Sequence, residues 1–386
     1  MSIRSGVGAV CIGVAVATVG FGGEQAKPLV GAIRWDAWYG ALPENASLPD
    51  PTRYLGYDVS RARAPSRDPG QEAQRSLAAA PWRYRWPFFT ELDVNGTAKA
   101  FNENRRDVLE KEIDYAAQGG LDYWAFDLYP EDCPLSYTLK TFLTCRNRDK
   151  IRFCLFLVMG SAYGRFADDE AFRAYAARMI EQPNYLKVEG NRPVIYMGFL
   201  NDGIVAKLLD GRWPRFCGEL ARHGLGKPYL VICRGDPASA KRYAEQLGGD
   251  ALSDYNYCRG LTQEGLPFTE LAAAAESFWK RCEATGLSAV PICMAGFDWR
   301  PRVMNPVSWH VCDERYSKRG TPDELAEHIG RGVAWFKKHP GKNGTELVLI
   351  YAWNELDEGG WLVPALPPPD GEGTARLDAL RKVLCR

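Results

Sequence analysis

The chain has 386 residues, with 48 basic and 48 acidic side chains and hence no formal net charge. Because there is no notable basic run either, the electrostatic footprint of a nucleic-acid-binding protein is absent, and we exclude nucleic acid as a partner. The 12 Trp, 18 Tyr and 16 Phe residues suit a protein that stacks rings against sugars, and they suit a large aromatic core equally well.

The N-terminus has the layout of a secretory signal peptide. Arg4 precedes an apolar stretch of small residues, 6–22, and polar residues follow at 23–27. We predict a signal peptide over residues 1–26, and hence a secreted or periplasmic protein. A short uncleaved membrane anchor is the alternative, and the only membrane contact that we expect.

The rest of the chain, 27–386, shows alternating strand and helix patterns without a linker, which predicts a single α/β domain. Eight apolar runs rich in β-branched and aromatic residues predict strands, at 29–35, 121–128, 151–159, 193–199, 228–234, 250–255, 289–296 and 346–353. Amphipathic patterns predict helices near 104–118, 168–182, 202–209 with 214–223, 237–247, 268–285, 321–338 and 373–384. Eight strands in βα alternation favour a (β/α)8 TIM barrel.

A long polar segment, about 40–103, follows the first strand and predicts an insertion over the C-terminal face of the barrel. It carries an aromatic cluster, 82–89. These rings are expected either to form one wall of a sugar-binding groove or to pack on the barrel rim.

The eighth strand runs into three acids. Glu355 and Glu358 lie at its exit, on the face where such barrels place catalytic groups, with Asp357 between them. Paired carboxylates are what glycosidic bond cleavage requires. The alternative is that these acids favour the N-terminus of a helical turn.

Polar and aromatic residues also follow other strands and are expected to converge on the same pocket as a carbohydrate-binding set. They are Trp35, Asp36, Trp38 and Tyr39 after the first strand, Asp127 and Tyr129 after the second, Asp254, Tyr255 and Tyr257 after the sixth, Asp298, Trp299 and Arg300 after the seventh, and Trp353 and Asn354 after the eighth. Alternatives remain for some of them: Trp35 as a core residue, Asp127 as a cap or a partner of a rim arginine, and Asp298 in a solvated ion-pair cluster with Arg300 and Arg302.

The four histidines are scattered and no cysteine pair has zinc-ligand spacing. We therefore predict no metal site and no cofactor.

The stretch Trp353-Asn-Glu355-Leu-Asp-Glu358-Gly359, followed by Pro364, resembles the W/Y-N-E-x-x-E-G…P signature of glycoside hydrolase family 99 and the related WbsX-like group. The stretch from Leu121 to Tyr129 is similar to the second-strand motif of those proteins, and Trp38-Tyr39 fits their first strand. Only the signature around Glu355 is specific.

The resemblance implies a (β/α)8 barrel with endo-α-mannosidase-like activity. By position, Glu355 matches the glutamate that assists attack by the substrate's own 2-hydroxyl, and Glu358 matches the general acid/base of this retaining mechanism. Leu356 and Asp357 depart from the family pattern.

The sequence thus predicts an exported glycoside hydrolase acting on an α-linked, mannose-containing or related poly- or oligosaccharide. The alternative is a noncatalytic carbohydrate-binding protein, or an accessory protein of polysaccharide assembly, whose pocket holds sugar without cleaving it.

Overall fold

The structure is a computed structural model that describes residues 27–40, 69–159, 165–341 and 344–385. Its centre is a parallel sheet that curls through 296° and is surrounded by helices, as in a (β/α)8 TIM-like fold. The predicted fold class is therefore confirmed. The predicted signal peptide at 1–26 lies outside the described residues.

The strands of this sheet are short and buried, because both faces are covered. They are β1 (Leu29–Arg34), β4 (Tyr123–Leu128), β5 (Arg152–Val158), β7 (Arg192–Gly198), β8 (Tyr229–Cys233), β9 (Ala251–Ser253), β10 (Ser288–Ala289), β11 (Ile292–Met294) and β12 (Leu347–Tyr351). Their order in the sheet is β10-β9-β8-β7-β5-β4-β1-β12-β11, and a short strand β6 (Lys187–Val188) pairs with β7 at its edge.

The predicted seventh strand is divided in two. β10 pairs with β9 and β11 pairs with β12, so the two edges of the sheet are consecutive parts of one segment. The chain changes partner at Val290, whose N–H donates to Leu252, and at Pro291, whose carbonyl accepts from Leu349. Proline has no N–H to give to a ladder, so a break in strand pairing at this residue is expected.

Helices lie where the amphipathic patterns predict them, and short helices that were not predicted lie at 137–142, 165–168 and 300–304. They are α2 (Arg106–Gln118), α3 (Tyr137–Phe142), α4 (Arg165–Asp168), α5 (Glu170–Ile180), α6 (Asp202–Lys207), α7 (Trp213–Arg222), α8 (Pro237–Leu247), α9 (Phe268–Glu283), α10 (Arg300–Met304), α11 (Pro322–Trp335) and α12 (Ala375–Leu384). The ends follow local chemistry: a capping box joins Thr321 and Glu324 at the start of α11, and Gly248 ends α8 in the left-handed conformation.

The segment between β1 and α2 has secondary structure of its own. Its described part contains helix α1 (Pro69–Leu77), a 3₁₀ helix (Ala80–Arg85) and a hairpin of β2 (Thr90–Leu92) with β3 (Ala98–Phe101). Residues 41–68 of the predicted insertion lie outside the described residues.

Aromatic side chains fill the barrel interior. The hydroxyls of Tyr123 and Tyr196 lie 2.7 Å apart, and Tyr123 also donates to the carbonyl of Val348 at 2.9 Å. Gly31 makes room for the Tyr123 ring, because a Cβ at residue 31 would lie 2.3 Å from the ring atom Cε2. A packed interior supports the residues at the C-terminal ends of the strands.

Candidate active site

A cavity of about 340 Å³ lies at the C-terminal ends of the barrel strands. Aromatic rings and acids dominate its lining, which consists of Trp35, Asp127, Tyr129, Val158, Phe199, Tyr255, Asn256, Cys258, Phe297, Trp299, Arg302, Trp309, His310, Glu355 and Glu358. Apolar walls with a few convergent polar groups are typical of a small-molecule or glycan site.

A tight turn after β12 brings both predicted glutamates to this cavity. The strand β13 (Asn354–Glu355) and the strand β14 (Gly360–Trp361) pair antiparallel, and a 3₁₀ turn (Leu356–Glu358) joins them. Gly359 closes the turn at φ +79°, and a Cβ there would lie 2.7 Å from the backbone N of Asp298. Only glycine fits this position, since the required φ is left-handed and the neighbouring backbone is close.

Arg302, on α10, binds one of the two glutamates directly. Its Nη1 forms an ion pair with Glu358 Oε1, while Glu358 Oε2 accepts from the Tyr351 hydroxyl. The ring centroids of Trp35 and Trp309 lie 5.3 and 5.5 Å from the Arg302 guanidinium carbon. Glu358 is thus bound by a cation at one carboxylate oxygen and by a hydroxyl donor at the other.

Asp357, which with Leu356 departs from the family 99 signature that the sequence resembles, does not line the cavity. Its carboxylate binds Arg302 instead. Arg302 Nε donates to Asp357 Oδ2 at 2.6 Å and Nη2 donates to Oδ1 at 2.9 Å, a bidentate pair. Ser76 of α1 donates to the same carboxylate at 3.0 Å. The extra charge therefore fixes the arginine that contacts Glu358.

Glu355 has a different environment. Its Oε1 lies 2.5 Å from the Tyr255 hydroxyl, which also lies 2.8 Å from Asp127 Oδ2. Its ion-pair partner among the described residues is Arg302, whose Nη2 lies 4.0 Å from Glu355 Oε2. Burial raises the pKa of Glu355 well above its ordinary value, and the charge of Glu358 raises it further. Burial likewise raises the pKa of Asp127 well above its ordinary value.

Asn354 is fully buried and fastens the glutamate turn to β1. Its Oδ1 accepts from the backbone N–H of Trp35 at 2.8 Å, its carbonyl accepts from Trp38 Nε1 at 2.7 Å, and its Nδ2 donates to Glu103 Oε1 at 3.0 Å. Asn354 and Trp38 do not line the cavity. Their contacts position Glu355 through the backbone.

Three acids surround the buried Arg34 behind this turn: Asp36, Glu103 and Glu112, at 2.8, 2.9 and 2.8 Å. Glu112 also accepts from Trp353 Nε1 at 3.1 Å. Burial raises the pKa of Asp36 to about 6, although Arg34 acts in the opposite direction. We call Arg34, Asp36, Glu103 and Glu112 the sealed cluster, because none of them lines the cavity.

Asp298 and Arg300 form part of another ion-pair cluster beside the cavity. Arg300 Nε donates to Asp298 Oδ1 at 2.8 Å, and Arg85 Nη2 donates to Oδ2 at 2.5 Å. Burial acts to raise the pKa of Asp298, but these two arginines outweigh it and lower the pKa. The sequence-based alternative of a solvated cluster with Arg302 is not what the structure shows, because Asp298 is buried and its second arginine is Arg85.

The remaining predicted residues do not line the cavity either. Tyr39 is buried and packs edge-on against Tyr137, while Tyr257 stacks on Phe278 with ring centroids 4.5 Å apart. Burial raises the pKa of Asp254 to about 7. Of the predicted set, the structure brings together seven residues at the cavity: Trp35, Asp127, Tyr129, Tyr255, Trp299, Glu355 and Glu358.

Eight lining residues were not in the predicted set: Val158, Phe199, Asn256, Cys258, Phe297, Arg302, Trp309 and His310. Trp309 and His310 come from the loop between α10 and α11, and Phe199 follows β7. Phe199 has a left-handed φ of +58° and its ring lies 5.2 Å from that of Tyr255. The position of Phe199 directly after a barrel strand could have predicted that it lines the cavity. Trp309 lies too far beyond the preceding strand to be predicted in this way.

The aromatic cluster of the insertion packs on the rim. The Arg85 guanidinium lies 4.9 Å from the Trp82 ring and 5.1 Å from the Tyr84 ring, and Trp86 packs against Phe101. None of the aromatic residues at 82–89 lines this cavity. The aromatic cluster therefore packs on the barrel rim and does not form a wall of this cavity.

Within the described residues, no group of three or more His, Cys, Asp or Glu side chains is arranged to hold a metal ion. No helix in the same ranges is long and apolar enough to cross a membrane.

Comparison with known proteins finds similarity at the level of structure. No protein-family model and no curated protein matches the sequence. Two solved structures of the GH99 endo-α-mannosidase from Bacteroides thetaiotaomicron, one of them in complex with bis-tris propane, cover 92% of this chain. The complex has a TM-score of 0.54 at 14% identity over 96% of its own chain, and the second structure has 0.52 at 16% over 98%.

A solved "glycoside hydrolase-like protein" is similar to the same extent, with a TM-score of 0.55 and 14% identity over 93% of this chain and 94% of its own. At such identities the similarity establishes the fold. The chain thus has a fold of the kind found in family 99 glycoside hydrolases, and the resemblance in its sequence is confirmed at that level.

Proposed function

We propose that this chain is an exported glycoside hydrolase, with one catalytic domain over 27–386, that cleaves an α-linked glycan and uses Glu355 and Glu358 as its catalytic carboxylates. The observation that carries the proposal is the placement of these two glutamates on one turn, lining one aromatic cavity at the C-terminal face of the barrel. The glycoside hydrolase fold of the structural neighbours supports it.

The two glutamates differ in ways that suit two roles. Glu355, deep in the cavity beside Tyr255, is placed to accept the proton of the sugar 2-hydroxyl as that oxygen attacks the anomeric carbon. Glu358, half-buried, donates a proton to the leaving oxygen in the same step. It later takes a proton from the attacking water while Glu355 returns its proton to the 2-oxygen, and the two displacements at the anomeric carbon give retention of configuration. No cofactor is needed for this chemistry.

The cavity lining assigns the binding roles. Trp35, Trp299 and Trp309 offer apolar faces for sugar rings, and Asn256 offers an amide that binds hydroxyls. Mannose-containing polysaccharides are the first substrates to test, because the sequence signature resembles that of family 99.

One observation favours a second candidate function. Glu358 is ion-paired with Arg302, and an ionised carboxylate has no proton to donate. If glycan binding leaves this ion pair intact, the cavity holds glycan without cleaving it, and the protein is a carbohydrate-binding or polysaccharide-assembly accessory protein.

A substrate panel distinguishes the two functions. We would incubate the wild type, Glu355→Gln and Glu358→Gln with α-mannans and other polysaccharides, and detect released oligosaccharides by mass spectrometry. The hydrolase should release products that neither variant releases, with the first-formed anomer retained by NMR. Glycan binding by all three proteins without any product would overturn the proposal in favour of the binding protein.

A further inference from the structure

Three acidic groups from different parts of the barrel meet at one point of the cavity. Asp127 lies on β4, Tyr255 follows β9 and Glu355 lies on β13. The Tyr255 hydroxyl is 2.8 Å from Asp127 Oδ2 and 2.5 Å from Glu355 Oε1. A tyrosine hydroxyl has one proton to donate, so it can donate to only one of two ionised carboxylates. For both hydrogen bonds to form, one carboxyl must itself carry a proton and donate it to the tyrosine oxygen.

The surroundings decide which carboxyl carries that proton. Among the described residues, the charged groups that act on Asp127 are the acids Asp36 and Glu358, and its Oδ1 is buried without a hydrogen-bond partner. An ionised carboxylate with an unpaired buried oxygen and no cation is costly, so Asp127 is the group that stays neutral.

Glu355, in contrast, has Arg302 Nη2 at 4.0 Å. This nearby cation favours the ionised form of Glu355 relative to that of Asp127. The hydroxyl therefore points toward Glu355.

We propose that Asp127 is a positioning residue that works as a neutral acid: it donates its proton to the Tyr255 oxygen, and Tyr255 in turn donates to Glu355. This inference rests on the proposed function, in which Glu355 is the base. The chain of donors orients Glu355, which lines the cavity, as the acceptor for the proton of a sugar hydroxyl, while its second oxygen, Oε2, is buried without a hydrogen-bond partner among the described residues. A proton that leaves this hydroxyl goes to Glu355, and Asp127 and Tyr255 keep their own.

Burial raises the pKa of Asp127 and of Glu355 together, as expected where two nearby carboxyls share one proton. The other titratable or charged groups that face the three are Asp36 on the β1 side, Tyr129 after β4, Arg302 on α10, Tyr351 on β12, and Asp357 and Glu358 on the glutamate turn. Arg302 is the one cation among these groups, and it is bound to Asp357 and Glu358.

The test compares two substitutions of one residue. The amide of Asp127→Asn donates to Tyr255 as the neutral acid does, whereas Asp127→Leu fills similar space without a donor. We expect Asp127→Asn to lower kcat less than tenfold and to move the alkaline limb of the pH profile upward, because an amide does not ionise. Asp127→Leu should lower kcat by about a hundredfold or more. An Asp127→Asn variant as inactive as Asp127→Leu would overturn the proposal.

A second measurement does not depend on turnover. The infrared difference spectrum of the wild type minus Asp127→Asn should contain the C=O stretch of a protonated carboxyl at neutral pH. If the wild-type spectrum shows an ionised carboxylate at this position instead, the proposal is wrong. If no glycan is cleaved by any form but the protonated band is present, the proposed function fails while the neutral state of Asp127 stands.

Discussion

The barrel has two clusters in which one buried arginine contacts three carboxyls. Comparing them distinguishes residues that stabilise the fold from residues that we propose to be catalytic. In the sealed cluster, Arg34 holds Asp36, Glu103 and Glu112 within 2.9 Å, and Trp353 and Asn354 donate further hydrogen bonds to these acids. We call the second set, Arg302 with Glu355, Asp357 and Glu358, the open cluster. There Arg302 binds Asp357 and Glu358 closely and reaches Glu355 only at 4.0 Å.

The open cluster leaves part of its charge for a ligand. Among the described residues, each cluster has a buried carboxylate oxygen without a hydrogen-bond partner, Glu103 Oε2 and Glu355 Oε2, but only Glu355 and Glu358 line the cavity. A buried acid that is incompletely satisfied costs stability, and one that lines a cavity is retained for function. We therefore expect substitutions in the two clusters to have opposite effects on activity and on stability.

The largest effect should follow the loss of a carboxylate from the open cluster. Glu355→Gln is expected to lower kcat by about 10³-fold, as is typical when a general base is removed. Its free energy of unfolding at neutral pH should stay the same or rise. Because the folded-state pKa of Glu355 is raised, its carboxylate increasingly destabilises the folded protein as pH rises above the ordinary glutamate value, a cost that glutamine does not have. Product formation measures the change in kcat, and urea unfolding measures the free energy of unfolding. A Glu355→Gln variant that loses stability as well as activity would contradict the proposed difference between the open and the sealed cluster.

Glu112→Gln is the matched substitution in the sealed cluster. Arg34 keeps two carboxylates but loses a buried ion pair, so the free energy of unfolding should fall by about 3 kcal/mol. The kcat of the folded fraction should be that of the wild type, because Glu112 does not line the cavity. A loss of kcat with unchanged stability would show that the sealed cluster takes part in catalysis, and the proposed difference between the two clusters would be wrong.

The sequence patterns predicted the strands of the fold better than they predicted which residues line the site. The predicted strand 151–159 corresponds to β5 (Arg152–Val158), and the other predicted strands agree comparably, because barrel strands buried on both faces form continuous apolar runs. The sequence also located Glu355 and Glu358, since residues at strand exits lie on one face of the barrel. It did not predict the division of the seventh strand at Pro291, which depends on pairing with two different neighbours.

Which polar residues at the strand exits face the cavity could not be predicted. Asp36 and Asp127 follow neighbouring strands, yet Asp36 points into the sealed cluster and Asp127 into the cavity. The difference arises from partners distant in sequence, such as Arg34 with Glu103, and from a loop that brings Trp309 back over the cavity. No local pattern records these contacts.

Asp254 and Asp298 extend the contrast to pH dependence. Burial raises the pKa of Asp254 to about 7, so the folded protein binds a proton that the unfolded chain releases near pH 4, and stability falls as pH rises through this window. Asp254→Asn should remove that loss, and the variant should gain about 2 kcal/mol relative to the wild type between pH 4.5 and 8.

Asp298→Asn is the control with the opposite sign. Its arginines lower the pKa of Asp298, so its contribution is present above the ordinary aspartate pKa and is lost as pH falls through the lowered value. Urea unfolding at several pH values measures both variants. A difference between Asp254→Asn and the wild type that does not change with pH would show that Asp254 titrates normally.

The smallest effect should come from the aromatic residues, where Trp309 and Trp82 form a matched pair. Trp309 lines the cavity, and losing one stacking face costs about 1 kcal/mol, so Trp309→Leu should raise KM about fivefold with little change in melting temperature. Trp82 is buried, and the guanidinium carbons of Arg85 and Arg300 lie 4.9 and 5.6 Å from its ring. Trp82→Leu should therefore lower the melting temperature and leave KM unchanged. If Trp82→Leu instead raised KM as much as Trp309→Leu, the aromatic cluster at 82–89 would contact the glycan outside this cavity, and the binding groove would extend across the rim.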